Sequence, residues 1–148
     1  MSVARLEAEL GALLQKMEPA SRHSLARDIA RQLRQSQQKR IAAQQNPDGS
    51  AFAPRKPQLR QKKGALRRRM FAKLRTAKWL KVESSATGAA VSFVTQVERI
   101  ARVHQYGLRD RFSPRIAREV EYPARELLGF SQCDKEQTYS TVLAHLAR

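Results

Sequence analysis

The side chains best suited to catalysis or metal binding are few and widely spaced in this chain. Its histidines are His23, His104 and His145, and its single cysteine is Cys133. No H-x-x-x-H, H-E-x-x-H or C-x-x-C pattern occurs, and these are spacings that place ligands around zinc. We therefore expect no metal site. We interpret Cys133 as a buried small residue rather than as a nucleophile paired with a histidine.

Motifs for other reactions are also missing from the sequence. There is no G-x-x-x-x-G-K-[ST] phosphate-binding loop and no G-x-S-x-G turn. The 13 carboxylates fall mostly on predicted solvent-facing positions, so paired acid–base catalysis is not expected. We predict a protein that is not an enzyme, uses no cofactor and takes no small-molecule substrate. No apolar run is long enough to predict a membrane-spanning helix.

Charge is the strongest compositional feature. Lysine and arginine number 29 against 13 acidic residues, and no acidic residue lies between Asp48 and Glu83. Such a segment attracts anionic partners, either DNA or an acidic protein surface, although a solvated loop is the alternative. With few aromatic residues and no DNA-reading motif, any DNA contact would be non-specific and directed at phosphates. The candidate partner- or DNA-facing residues are Arg55, Lys56, Arg60, Lys62, Lys63, Arg67, Arg68 and Arg69.

Apolar residues at spacings of three and four predict helices in the first half of the chain. The predicted helices cover Ser2–Met17, Arg22–Gln44 and the basic stretch Ala65–Thr76, with the first two forming an antiparallel pair. A long basic loop around residues 45–64 separates the second helix from the third. We expect this loop to be mobile in the free subunit and to become ordered when a neighbour binds.

The loop contains the sequence Asn46-Pro47-Asp48-Gly49, which is a turn signal because proline fixes φ and glycine permits positive φ. The side chains of His104 and Tyr106 are candidates for packing against it. The alternative for His104 is an interaction of the protonated ring with the dipole of its own helix. The candidate loop-positioning residues are Asn46, Asp48, Gly49, Phe52, His104, Tyr106 and Gly107.

Alternation of apolar and polar residues predicts a β-hairpin with strands at Lys78–Glu83 and Ala89–Val94. A capping box at Thr95–Glu98 opens a short helix that ends at Gly107. The remaining predicted elements are a charged loop over Leu108–Pro114, a third strand over Ile116–Tyr122, one helical turn over Pro123–Leu128, and a final helix from a cap at Ser131 to about Leu146. The expected fold is a single α+β domain spanning residues 1–148, with two N-terminal helices, a small antiparallel sheet, a short capped helix and a C-terminal helix.

An ordered set of short motifs resembles a known family. The motifs are N-P-D-G-x-x-F-x-P from Asn46, M-F-x-K-L-R from Met70, V-H-Q-Y-G from Val103, and P-A-R-E-L-L-G-F-S from Pro123. Together they resemble the phage virion morphogenesis family, in particular the tail completion proteins of contractile-tailed temperate phages. The resemblance covers nearly the whole chain.

The resemblance implies a structural role late in virion assembly, without catalytic residues. The protein would complete the tail and make it competent to join the head, as a ring, six-fold by analogy, at the neck or the head-proximal tail end. Its partners would be other tail and neck proteins, with possible non-specific contact with DNA. It would be found in the virion, and in the host cytoplasm during assembly. The alternative is a small basic, non-enzymatic nucleic-acid-binding protein, which the charge alone motivates.

Overall fold

The computed structural model describes residues 2–14, 17–55, 69–113 and 116–147. The fold is α+β, as predicted. Its elements in chain order are α1 (Val3–Leu14), α2 (Pro19–Ala42), β1 (Leu80–Ser84), β2 (Ala89–Phe93), α3 (Thr95–Tyr106), β3 (Arg109–Ser113), β4 (Ile116–Glu121) and α4 (Gln132–Leu146).

The four strands form two separate antiparallel ribbons, β1–β2 and β3–β4. The first confirms the predicted hairpin, with Leu80 opposite Phe93. The second corrects the prediction of a loop over Leu108–Pro114, because Arg109–Ser113 pairs with β4. Its sequence, RDRFS, places charges on both faces and so lacks the alternation that marks a half-buried strand. Pairing with β4 makes it a strand.

Helix α2 organises the interior by packing against β1, β2 and α4. It begins at Pro19, earlier than predicted, because proline is accepted in the first turn of a helix. It is followed by Gln44, which has a left-handed φ of 58°. The last turn of α2 contributes Ile41 to a core cluster whose other members are Phe52, Ala101 and Leu127. Around this cluster pack Met70, Phe71, Leu74 and Phe93.

Two predicted helical stretches are wrong within the described residues. Residues 70–76 of the predicted Ala65–Thr76 region form turns, which continue to residue 79, and Phe71 has a φ of 65° that no right-handed helix contains. Its ring packs edge-on against Phe52 in the core. The predicted turn over Pro123–Leu128 is irregular chain instead, because its peptide groups bond to side chains of distant residues.

The helix ends test three local predictions. The capping box at Thr95 is wrong: Val94 precedes the helix as its N-cap, and no side-chain cap bond forms. Gly107 ends α3 with a φ of 65°, which confirms the predicted C-terminus. The predicted cap at Ser131 is also confirmed, and it is a capping box: its hydroxyl accepts from the Asp134 amide while the Asp134 carboxylate accepts from the Ser131 amide.

Helix α1 has the predicted amphipathic pattern, but the described part of its apolar face is not buried. None of its described side chains, over residues 3–12, is buried, and Val3 is 44% exposed. Leu143 of α4 is exposed as well. Within the described ranges, no helix has both the length and the apolar character needed to cross a bilayer.

Candidate functional site

The irregular segment of residues 125–129 belongs to the motif that begins at Pro123. It is hydrogen-bonded to residues of the motifs that begin at Asn46 and Val103. Arg125 is 4% exposed and Leu127 is fully buried. A buried chain outside helices and sheets must bond its peptide groups to side chains or water, since an unpaired group is costly. In this segment, the Arg125 amide donates to the His104 carbonyl of α3 at 2.7 Å, and side chains from α2, α3 and the loop after α2 bind the peptide groups that follow.

Arg40 and Asn46 bind the first part of the segment. The Arg40 guanidinium donates to the carbonyl of Glu126 at 2.7 Å and to that of Leu127 at 2.8 Å. It also donates to the carbonyl of Gln45 at 2.9 Å. The Asn46 side-chain oxygen accepts from the Glu126 amide at 2.9 Å. One arginine therefore joins the loop after α2 to the buried segment.

Two glutamines bind the rest of the segment in the same manner. Gln105 accepts from the Leu128 amide at 2.9 Å and donates to the Leu128 carbonyl at 2.8 Å. Gln37 does the same for Gly129, at 3.1 and 2.9 Å. Each side-chain amide pairs with a peptide as a neighbouring strand would. We call Gln37, Arg40, Asn46 and Gln105 the backbone clamp.

The loop after α2 forms a compact turn. The Asn46 carbonyl accepts from the amide of Gly49, whose φ is 88°, and the Asn46 amide donates to the Ser50 carbonyl at 2.7 Å. Asp48 accepts from both the hydroxyl and the amide of Ser50. These hydrogen bonds, the hydroxyl first, lower the pKa of the Asp48 carboxyl. The turn is thus closed by its own residues.

Arg125 holds the continuation of this loop. Its Nε donates to the Ala53 carbonyl at 2.7 Å, and a terminal nitrogen donates to the Pro54 carbonyl at 3.1 Å. Phe52, 5% exposed, inserts its ring into the core. This half of the loop, to Pro54, is therefore held by contacts within its own chain.

A row of aromatic rings connects the loop to α3. The ring centroids of Phe71 and His104 lie 4.8 Å apart, and those of His104 and Tyr122 lie 5.1 Å apart. Burial, with a contribution from the nearby Arg125 charge, lowers the pKa of His104 to about 4. The ring is therefore neutral at pH 7, which excludes the alternative that it acts as a protonated partner of the helix dipole. Tyr106 does not join the row and is 68% exposed.

Acid should weaken the fold through His104. Its pKa lies near 4 in the folded chain, against an ordinary value of 6.5, so between these values the unfolded chain binds a proton that the folded chain does not. Stability is then complete above pH 6.5 and falls as the pH drops toward 4, by roughly 2–3 kcal/mol. Urea unfolding at about pH 7.5 and about pH 5 measures this difference.

In the variant His104→Gln, this part of the pH dependence should disappear, even if stability is lower at both pH values. The matched control is Val142→Ala, which opens a cavity at a buried apolar residue of α4. It should lower the free energy of unfolding equally at both pH values, so the difference between the two pH values should stay as in the wild type. If the stability of His104→Gln depended on pH as strongly as that of the wild type, the assignment of this pH dependence to His104 would be contradicted.

The basic candidates are only partly described. Lys56, Arg60, Lys62, Lys63, Arg67 and Arg68 lie outside the described residues. Arg55 and Arg69 are exposed, at the two described ends of this stretch. The guanidinium of Arg69 donates to the carbonyl of Ala42, the last residue of α2, at 2.8 Å. The fixed loop and α2 therefore set where the basic stretch begins and ends.

The surroundings of Arg40 and Asn46 include an open groove. Among the described residues, no group of three or more histidine, cysteine or acidic side chains is arranged to hold a metal ion. An open groove of about 450 Å³ lies between α2, the turn at residues 45–49 and the start of α4, and no histidine lines it. Cys133 lines this groove and is exposed, so the prediction of a buried cysteine is wrong.

The clamp residues Gln37 and Arg40 were missed at the level of sequence. The stripe of Leu25, Ile29 and Leu33 continues along α2, at spacings of four and then three, to positions 37 and 40, where polar residues stand on the inward face. A polar residue on a buried face needs hydrogen-bond partners, and this was the available signal. Gln105 and Arg125 belong to the quoted motifs, but their partners lie far away in the chain.

Known proteins match this chain over nearly its whole length. The sequence profile of the phage virion morphogenesis family matches residues 1–147. The chain is also 40% identical over 146 residues to tail completion protein S of Escherichia phage P2, which covers 97% of each protein. No solved structure matches significantly.

Proposed function

Because the chain belongs to the phage virion morphogenesis family, we propose that it completes the phage tail and makes it competent to join the head. A role in virion morphogenesis comes with the family. The observation that supports tail completion is the 40% identity to a tail completion protein over 97% of both chains. Similarity of this extent involves the entire protein rather than one shared module.

We further propose that the protein works as a ring, six-fold to match the tail, at the neck or the head-proximal end of the tail. In a closed ring, two different patches of each subunit meet, so neighbouring subunits present unlike surfaces. Its partners would be other tail and neck proteins. The protein itself would be in the host cytoplasm during assembly and in the virion afterwards. This role needs recognition surfaces and no active site.

The clamp gives this proposal a physical basis. It joins the start of the loop, at Gln45 and Asn46, to the buried segment. Arg125 of that segment then binds the carbonyls of Ala53 and Pro54, and Arg55 follows directly after them. The chain therefore enters the basic stretch from a fixed point. We propose that the stretch from Arg55 to Arg69 faces a partner protein or DNA, and that Asn46, Asp48, Gly49, Phe52, His104 and Gly107 position it. Tyr106, which is exposed, would contribute to a surface instead.

A phage whose gene for this chain is inactivated tests the role. We expect filled heads and separate tails to accumulate, with loss of nearly all infectious particles, because an incomplete tail end offers no surface to the head. Electron microscopy of the lysate and plaque counts measure the result, and the wild-type chain supplied from a plasmid should restore joining. Normal particles from the uncomplemented phage would refute tail completion. Cryo-electron microscopy of the neck would test the six-fold ring.

A further inference from the structure

Helix α2 carries a line of arginines that the proposed function does not use. Arg27, Arg31 and Arg34 are spaced i, i+4 and i+7, which places them on one side of the helix. Arg27 and Arg31 are exposed, and Arg34 is half-buried. Like charges at this spacing repel one another and destabilise a helix. Helix stability therefore does not explain the line.

No carboxylate in the described part of the chain neutralises these three arginines. The only acidic residue of α2 is Asp28, and its carboxylate lies 2.8 Å from Nε2 of His145. The other ion pairs found there join residues of α1, α3, β3 and β4. The positive potential of this side of α2 is therefore left for an external partner.

The tertiary structure extends the line with residues distant in sequence. At the C-terminal end of α2, Arg69 donates to the Ala42 carbonyl, and Gln38 donates to the Arg75 carbonyl at 2.8 Å. The turns of residues 69–79 therefore run beside the second half of α2, and they carry the exposed Lys73. We call Arg27, Arg31, Arg34, Arg69, Lys73 and Arg75 the basic ridge.

The length of the ridge fits a nucleic-acid backbone. From Arg27 to Ala42 the helix rises about 22 Å, at about 1.5 Å per residue. Measured along the duplex axis, one DNA strand carries a phosphate about every 3.4 Å, so a row of this length covers the axial rise of about six phosphates. The arginines of α2 recur about once per turn, at about 5.4 Å, so the row can meet the strand at several points rather than at every phosphate.

The chemistry of the ridge selects among anionic partners. The large hydrophobic side chains that are exposed in the described residues all lie outside α2 and outside residues 69–79. Protein interfaces place aromatic or apolar residues at their centre, and single-stranded nucleic acid stacks its bases on exposed rings. Contact with duplex phosphates needs only cations and hydrogen-bond donors.

From these observations we infer that the basic ridge binds the phosphate backbone of double-stranded DNA without reading its sequence. Arg27, Arg31 and Arg34 are part of this surface although they lie far in sequence from the basic stretch. The inference goes beyond tail completion and does not depend on it.

Fluorescence anisotropy with a random-sequence DNA duplex of about 20 base pairs, between about 50 and 200 mM salt, tests the inference. The full-length variant R27Q/R31Q/R34Q is compared with R102Q/R111Q/R118Q, whose three exposed arginines lie on α3, β3 and β4. Each variant removes three charges from the formal +16, which leaves +13 for both. Circular dichroism should show that both fold.

We expect the ridge variant to bind the duplex about 10- to 100-fold more weakly at about 100 mM salt. The slope of log binding constant against log salt concentration should be smaller in magnitude by about two to three. The control should stay within about threefold of the wild type, because its arginines only add to the long-range field. Equal loss in both variants, or no binding by the wild type, would overturn the inference. So would polyglutamate that competes as well as the duplex, because the ridge would then suit an acidic protein.

The two proposals fail separately. A phage without this chain that still joins heads to tails would refute tail completion and leave the binding measurements unaffected. Conversely, equal DNA binding by both triple variants would refute the ridge, while a joining defect in the deletion phage would still support tail completion.

Discussion

Replacing Arg40 with methionine should lower the free energy of unfolding by about 3–5 kcal/mol. Arg40 is 9% exposed and donates to the carbonyls of Gln45, Glu126 and Leu127. Methionine fills much of the same volume, so the loss comes from buried carbonyls left without donors rather than from a cavity. Urea unfolding followed by circular dichroism measures the change.

Two further variants separate this explanation from a general effect of charge. Arg40→Lys keeps the charge but has one ammonium in place of the planar fork, so it should recover little of the loss. Lys39→Met removes a charge from the neighbouring exposed position of α2 and should change stability by no more than about 0.5 kcal/mol. A fully stable Arg40→Lys protein would contradict the clamp.

Replacing Gly107 with alanine should cost about 2–4 kcal/mol, from a strained backbone and a steric clash. Gly107 ends α3 with a φ of 65°, which side chains other than glycine rarely adopt. An added Cβ would lie 2.9 Å from the Ala124 amide nitrogen and 3.2 Å from the Tyr122 carbonyl oxygen. Both are backbone atoms of the chain that leads into Arg125, so relief of the clash would displace the buried segment.

The chain contains a matched control for this substitution. Gly88 lies in the turn between β1 and β2, has no positive φ and would place its Cβ in open space. Gly88→Ala should therefore change stability by no more than about 0.5 kcal/mol. Thermal unfolding of the two variants side by side gives the comparison. Equal melting temperatures would show that the contacts at Ala124 are not restrictive.

Both predictions concern one structural unit. The motif around Asn46, the motif around Gln105 and the motif around Arg125 are far apart in the chain, yet their side chains bond one another's backbone. The unit fixes the start of the basic stretch. Damage to the clamp should therefore impair assembly as well as folding, whereas loss of the basic ridge should spare folding.

The α+β class, the β1–β2 hairpin, the end of α3 at Gly107 and the cap at Ser131 were determined by the sequence itself. Each depends on residues within one or two turns of one another: apolar spacing, a glycine that tolerates positive φ, a serine three residues before an aspartate. Such signals are readable because the stabilising interactions are local.

The rest was decided by tertiary structure. Arg40 and Leu127, bonded to each other, are separated by 87 residues. The apolar stripe of α2 places Arg40 on the inward face but does not show which groups it binds, and nothing near Leu127 shows that its chain will be irregular. Phe71 adopts its left-handed backbone while its ring packs between Phe52 and His104. These states are stable only when distant groups supply the missing bonds and contacts, because a local segment alone would pay for the unpaired peptides and the strain.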